Sequence, residues 1–194
     1  DGEPRPLLRI EKDRFIRGVH GDMGCVDCHR EISDVSVPHR KGTLPKPDCV
    51  TCHRQLWETA EQQNLTEEKA RLGVVVQNAA AYEDSFHARP AGRNAVKASC
   101  EDCHDTHFFD VPPRGTAKRT DWHLTVPNLC GQCHEEITQS YFDTYHGKVS
   151  RLGAEGAAKC YDCHGTHSIL PTDNPESTLS HKNVVDTCAQ CHPG

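Results

Sequence analysis

The chain is poor in the residues that usually build a protein interior. Only 35% of its 194 residues are apolar and 6% aromatic, and the mean hydropathy is −0.70. Side chains alone would give a fold of this length a thin core. Long hydrophobic runs are also missing. The longest aliphatic stretch, Leu72-Gly73-Val74-Val75-Val76, falls far short of the roughly 20 residues a bilayer span needs, so no transmembrane segment is expected. Basic residues are in deficit, 22 Lys and Arg against 28 Asp and Glu, for a net charge of −6. That balance argues against nucleic acid as a partner, because such binding relies on Lys and Arg neutralising phosphates. Methionine is nearly absent, Met23 being the only one. No apolar leader is visible either; the opening Asp1-Gly2-Glu3-Pro4-Arg5-Pro6 reads as a processed N-terminus.

What the chain has instead is cysteine coupled to histidine. All 12 cysteines fall in six copies of Cys-X-X-Cys-His, with thiols at Cys25 and Cys28, Cys49 and Cys52, Cys100 and Cys103, Cys130 and Cys133, Cys160 and Cys163, and Cys188 and Cys191. The second cysteine of each copy is followed by His29, His53, His104, His134, His164 or His192. This is the attachment signature of c-type haem. Two thiols three positions apart on one turn can each form a thioether to a vinyl group of the same porphyrin, and the next residue places an imidazole under the iron. Six haem c groups are therefore the expected cofactors. Paired cysteines also build zinc ribbons and disulfide scaffolds. Neither requires a histidine directly after every second cysteine, and with only 14 histidines in 194 residues six such placements are not a coincidence. At about 32 residues per motif, porphyrins would form much of the interior, and the apoprotein should be largely unfolded.

Each iron needs a second axial ligand. With one methionine in the chain, histidine must supply nearly all of them, which gives bis-histidine coordination, low-spin iron and potentials below those of His/Met sites. Eight non-motif histidines are available for six places: His20, His39, His87, His107, His123, His146, His167 and His181.

The fold class expected is mostly α with extensive coil and little or no sheet, organised by haem and built from repeated two-haem units. The chain divides into an N-terminal arm over 1–19, a first two-haem unit over 20–63, a linker helix with a second unit over 64–134, and a third unit over 135–194, read together as one continuous domain. Internal repetition supports the division. Tyr82-Glu83-Asp84-Ser85-Phe86-His87 corresponds to Tyr141-Phe142-Asp143-Thr144-Tyr145-His146, Cys100–His107 to Cys160–His167, and His123 and His181 each precede a motif by seven residues. Residues 54–86 read as the clearest helical region, with Asn64 and Glu67 as a capping box and Leu65, Leu72, Val75, Val76, Ala79 and Tyr82 as an apolar face delivering His87. The stretch from His134 to His146 reads as a short helix stopped by Gly147. Pro112-Pro113-Arg114-Gly115 and Pro171-Thr172-Asp173-Asn174-Pro175 read as loops, as does most of the chain between motifs three and four.

His20-Gly21 before Cys25, Pro38-His39 before Cys49, Tyr145-His146-Gly147, and Cys160-Tyr-Asp-Cys163-His164-Gly165-Thr166-His167 resemble the multihaem c-type cytochromes of anaerobic and metal-reducing respirers. The resemblance covers about 20–194. It implies export to the periplasm or cell exterior, neighbouring haems in parallel and T-shaped pairs, and electron transfer to redox partner proteins or extracellular acceptors. Some relatives polymerise into extracellular filaments, which makes further copies of this chain a candidate partner. His87 with His146 and His107 with His167 recur in the repeat, and His20 and His39 are the only non-motif histidines near the first motif pair; these six come first as distal ligands, and the resemblance sets His123 and His181, which recur as faithfully, as alternates. Electron transfer is the leading function, without a catalytic residue. The alternative is a reductase of nitrite, hydroxylamine or a sulfur oxyanion with one open haem.

Overall fold

The computed structural model describes residues 10–32, 45–91, 96–113 and 115–193. Among these, half of the residues are helical and none is in a strand. The helices are α1 Lys12–Ile16, α2 Cys25–Cys28, α3 Cys49–Gln62, α4 Ala70–Glu83, α5 Cys100–Cys103, α6 Ala117–Gly131, α7 Glu135–Asp143, α8 Tyr145–Arg151, α9 Cys160–His164 and α10 Val184–Ala189. The chain separates into two compact units, Asp1–Cys52 with Cys100–Asp110, and His53–Ser99 with Val111–Gly194.

In the first unit the arm is tied to the segment after the third motif. The Val19 amide donates to the Phe109 carbonyl at 3.2 Å, and the Arg14 guanidinium lies 4.1 Å above the Phe108 ring. The Arg14–Asp105 ion pair, at 4.0 Å with both side chains more than half exposed, adds little. Gly21, just after His20, is required by space: a Cβ there would stand 2.1 Å from the Ile16 carbonyl oxygen.

The second unit begins with a helical hairpin. The sequence reading of one helical region over 54–86 is corrected here, because the chain breaks at Asn64. Its φ of 57° is the left-handed value that Asn tolerates better than most residues. The Leu65 amide reaches back to the Ala60 carbonyl (2.8 Å) and the Asn64 amide to Glu61 (3.1 Å), the Schellman closure of α3. Asn64 therefore ends one helix instead of capping the next, and α4 starts after Lys69. The expected face of α4 at Leu72, Val75, Val76, Ala79 and Tyr82 is half-buried. The two helices meet where the buried Gly73 admits the Trp57 indole; a Cβ would lie 2.8 Å from that ring.

Two further readings change. The stretch before the fourth motif is the 15-residue helix α6, hidden in the sequence by Pro127, which is buried in its interior. A proline there removes the donor that would reach the His123 carbonyl one turn earlier. Gly147 does not stop a helix. The break is at Thr144, extended at ψ 165°, whose hydroxyl accepts from the Gly147 amide at 3.1 Å and so starts α8. Gly147 lies buried inside α8, where a Cβ would be 2.1 Å from the Tyr141 carbonyl oxygen. Pro171–Pro175 is non-helical as expected; Pro112 and Pro113 are coil, and Arg114 lies outside the described residues.

The interior is unusual in what it buries. Ala60 is the one side chain of the hydrophobic core among the described residues, whereas Ser85, Thr138, Ser150, Lys159, Ser177 and Ser180 are buried. Side-chain bonds to backbone satisfy Ser85, Lys159, Ser177 and Ser180. Around the loop that leads to α10, Ser177 donates to Leu170 O (3.2 Å), Ser180 to Pro175 O (3.3 Å), and Asn183 to both Pro175 O (3.0 Å) and Ser177 O (2.9 Å).

Candidate metal centres

Each motif is one helical turn. The histidine amide reaches the carbonyl of the first cysteine at 2.9 Å in the first motif, 2.8 Å in the third, and 3.0 Å in the fourth and sixth. His53 and His164 lie within α3 and α9. Motifs one, two, three and five open a helix, while four and six close one, at the ends of α6 and α10. The openings are capped by acids. Asp27 accepts from the Gly24 amide and Asp162 from the Lys159 amide, both at 2.7 Å, and in the second motif Asp48 accepts from Thr51 at 3.0 Å.

Tyrosines fix where the chain enters two of the motifs. The Tyr141 hydroxyl donates to Ala158 O at 2.9 Å, and the Tyr82 hydroxyl donates to Ala98 O; each acceptor stands two residues before a first cysteine. The same repeat holds the histidine that follows each tyrosine. Ser85 donates to Tyr82 O (2.7 Å) and accepts from the Ala88 amide (3.3 Å), and Thr144 donates to Tyr141 O (2.6 Å). These anchors were missed in the sequence reading, although the matching Tyr-X-X-Ser/Thr-X-His spacing carries the signal.

Motif cysteines approach one another, and none of the twelve is in a disulfide. A hydrogen bond from Cys49 holds the Cys100 thiol down at about 7, against an ordinary value near 9, and pushes Cys49 upward. Cys130 does the same to Cys160, also to about 7. Burial, and next the Cys52 thiol, raises Cys28; burial, then Asp162 and Cys188, raises Cys163. Motifs one, two and three are thus neighbours within the first unit, and four, five and six within the second.

Histidines face each other across a gap of one kind. His29 and His107 have ring centroids 6.2 Å apart, His134 and His87 6.0 Å, and His192 and His146 5.8 Å. In every case one ring belongs to a motif and the other does not. Two imidazoles on opposite sides of one metal, each bound at about 2 Å, put their centroids about 6 Å apart. Burial, followed by His134, lowers the His87 pKa, which favours the neutral, ligating imidazole. At the third pair a cavity of about 300 Å³ is lined by His146, His192 and Cys191, with Tyr145, Val149, Ala154, Ala157 and Ala158 as mostly apolar walls. A thiol, two opposed imidazoles and apolar walls fit a covalently attached haem.

The remaining candidates are distributed as follows. His20 is half-buried in the turns before the first motif. His167 is half-buried with Nδ1 3.2 Å from the Thr166 hydroxyl, and burial lowers its pKa. His123 packs against Tyr161 and Trp122 and not against a motif imidazole, and His181 is exposed in a turn. His39 lies outside the described residues. Among the described residues no group of three or more His, Cys, Asp or Glu side chains converges as a closed zinc site would need. No helix among them is long and apolar enough to cross a membrane. In comparisons with known proteins, the chain matches no family model, no curated protein and no solved structure.

Proposed function

We propose that this chain is an electron carrier holding six covalently attached c-type haems, and that it works outside the cytoplasm. The observation that carries the reading is the facing of a motif histidine by a non-motif histidine at 5.8–6.2 Å in three places, two of them related by the internal repeat. The poverty of buried apolar side chains adds support, since an apolar plate tethered at each motif would fill the space the polypeptide leaves.

In this reading the paired thiols of each motif would hold one haem by thioethers, and the histidine that follows would supply an imidazole to its iron. His107, His87 and His146 would supply the second imidazole to the irons of the first, fourth and sixth motifs. When bound, each haem supplies an iron that changes oxidation state by one electron. Two imidazoles held in place by the chain would keep its coordination the same in both states, so little would have to reorganise when an electron arrives or leaves. The short chain between motifs, and the thiol contacts from motif to motif, keep neighbouring sites close. Redox partner proteins or extracellular acceptors would take the electrons, and assembly with further copies of the chain would extend the row.

Intact-mass measurement and a haemochrome spectrum of native material test this. The expected result is the polypeptide mass plus six haems with a c-type spectrum dominated by low-spin iron. A mass equal to the bare polypeptide would end the proposal.

A further inference from the structure

Lys159 is the one buried side chain among the described residues that carries a charge; it is only 2% exposed. Its ammonium donates to the carbonyls of Glu155 (2.8 Å) and Ala157 (2.6 Å), neutral acceptors that hold it inside the fold. A lysine buried in this way is costly, which points to a use for its charge. Two acids stand nearby but do not cancel it. The Asp162 carboxylate accepts from the Lys159 backbone amide (2.7 Å), and the Glu155 carboxylate accepts from the Thr120 hydroxyl (2.7 Å). Both acidic residues are exposed, so water screens them far more than it screens the ammonium. The charge is also close to two motifs. Lys159 directly precedes Cys160, and Ala157, whose carbonyl takes the ammonium, lines the cavity of about 300 Å³ at His146, His192 and Cys191. Three residues of chain reach at most about 11 Å, so the ammonium stands on the order of 10 Å from the Cys160 attachment point and is bonded to a wall residue of the sixth motif's cavity.

We infer that the buried charge of Lys159 raises the reduction potentials of the haems at the fifth and sixth motifs above those of the other four, so that electrons collect at the C-terminal end of the chain. This rests on the haem reading above. An iron that takes up one electron loses one unit of positive charge, and a fixed cation nearby favours that form. At about 10 Å, with an effective dielectric of about 20, one charge shifts such an equilibrium on the order of tenfold. Lys159 touches no iron ligand in this scheme; it is a positioning residue for the electron and acts through the field alone. Among the described residues no other motif has a buried charge beside it.

The test is a spectroscopic redox titration of the six-haem protein beside its Lys159→Gln and Lys159→Arg variants. Glutamine keeps a donor for the two carbonyls and removes the charge, whereas arginine keeps the charge. In Lys159→Gln the two highest of the six steps should fall, each by on the order of tenfold in the ratio of reduced to oxidised iron at a fixed poise, and in Lys159→Arg they should stay in place. An unchanged curve for Lys159→Gln, an equal fall of all six steps, or the same shift in both variants would overturn the inference while leaving the electron-carrier reading in place. Should Lys159→Gln fail to load its haems, a Cys160→Ala/Cys163→Ala variant decides with Lys159 intact. With five haems by mass it should lack one of the two highest steps, and loss of a lower step would overturn the inference. A chain purified without haem would instead remove the reading on which it rests.

Discussion

Replacing Gly147 with alanine tests how the fold aims a ligand. The added Cβ would stand 2.1 Å from the Tyr141 carbonyl oxygen and 2.6 Å from the Phe142 Cα, so both obstacles are backbone and neither can swing aside. Ordinary contact lies more than 1 Å further out, and α8 would have to back away from the end of α7 by about that much. Overpacking of this kind costs about 3 kcal/mol, the upper end of its range, because no flexible side chain absorbs it. In a chain of this size that lowers Tm by roughly 6–12 °C. The functional consequence follows from position, since His146 is the preceding residue and sits 5.8 Å from His192. Metal–ligand distances tolerate only about 0.2 Å, so a shift of about 1 Å breaks the pair.

The expected outcome is one further carbon monoxide bound per chain and the loss of one low-spin signal, alongside the drop in Tm. Gly153→Ala is the control. Its φ of +88° makes alanine cost about 1–2 kcal/mol, but nothing lies within 4 Å of the new Cβ, so the imidazole pair should survive. The reasoning is refuted if Gly147→Ala melts with the parent protein, or if both variants lose the low-spin signal equally.

Other perturbations have smaller, local effects. Tyr141→Phe removes the bond to Ala158 O and should cost about 1–2 kcal/mol in thermal unfolding with all six haems retained; loss of a haem would show that the hydroxyl does more than anchor the chain. Asn64→Ala should cost about 1 kcal/mol and Asn64→Gly nothing measurable, since φ is 57° there; equal loss in both would place the constraint in the side chain and not the backbone. Burial first, and then Asp162, pushes the Tyr161 phenol up to about 12, above its ordinary value of about 10. The folded state therefore holds that proton more tightly than the unfolded chain, and its contribution, complete below about pH 10, is lost as pH rises towards 12. Tyr161→Phe should flatten the stability profile in that window, and an unchanged profile would refute the assignment.

Periodic and local signals carried the sequence reading where short-range chemistry decides structure. The motif turns and the Pro171–Pro175 loop follow from cysteine spacing and proline, and the absence of strands among the described residues agrees with the expectation of little or no sheet. The errors arose where one residue can serve two ends of a helix or where packing overrides propensity. Asn64 resembles the start of a helix because Glu67 follows three residues later, yet its left-handed φ closes α3. The chain before the fourth motif reads as loop, yet α6 runs through a buried Pro127 there. Gly147 resembled a stop, but its missing side chain is what lets α8 approach Tyr141. Pairing of histidines was not legible at all. His107 sits three residues after the third motif yet faces His29 of the first, a relation created by the fold and not by the spacing.

The same pairing bears on how so polar a chain can fold. Caps such as Asp27, Asp162 and Thr144 each contribute about 1 kcal/mol, and the hydroxyl bonds around Ser177 and Ser180 mainly offset the cost of burying polar groups. Against the roughly 1–2 kcal/mol of backbone entropy lost by every ordered residue, such terms cannot carry the fold without apolar burial. Ala60 and the small cavity walls near His146 supply little of it. What the local structure does accomplish is to preset the turn of each motif and the entry points fixed by Tyr82 and Tyr141, so that attachment at one motif brings its histidine to a place where a distant one already waits. If the proposed haems are attached, they would act as the missing core, and each facing pair would join two stretches of chain far apart in sequence. Folding and cofactor attachment would then be one process, with the caps and tyrosine anchors setting its order and the imidazole pairs closing it.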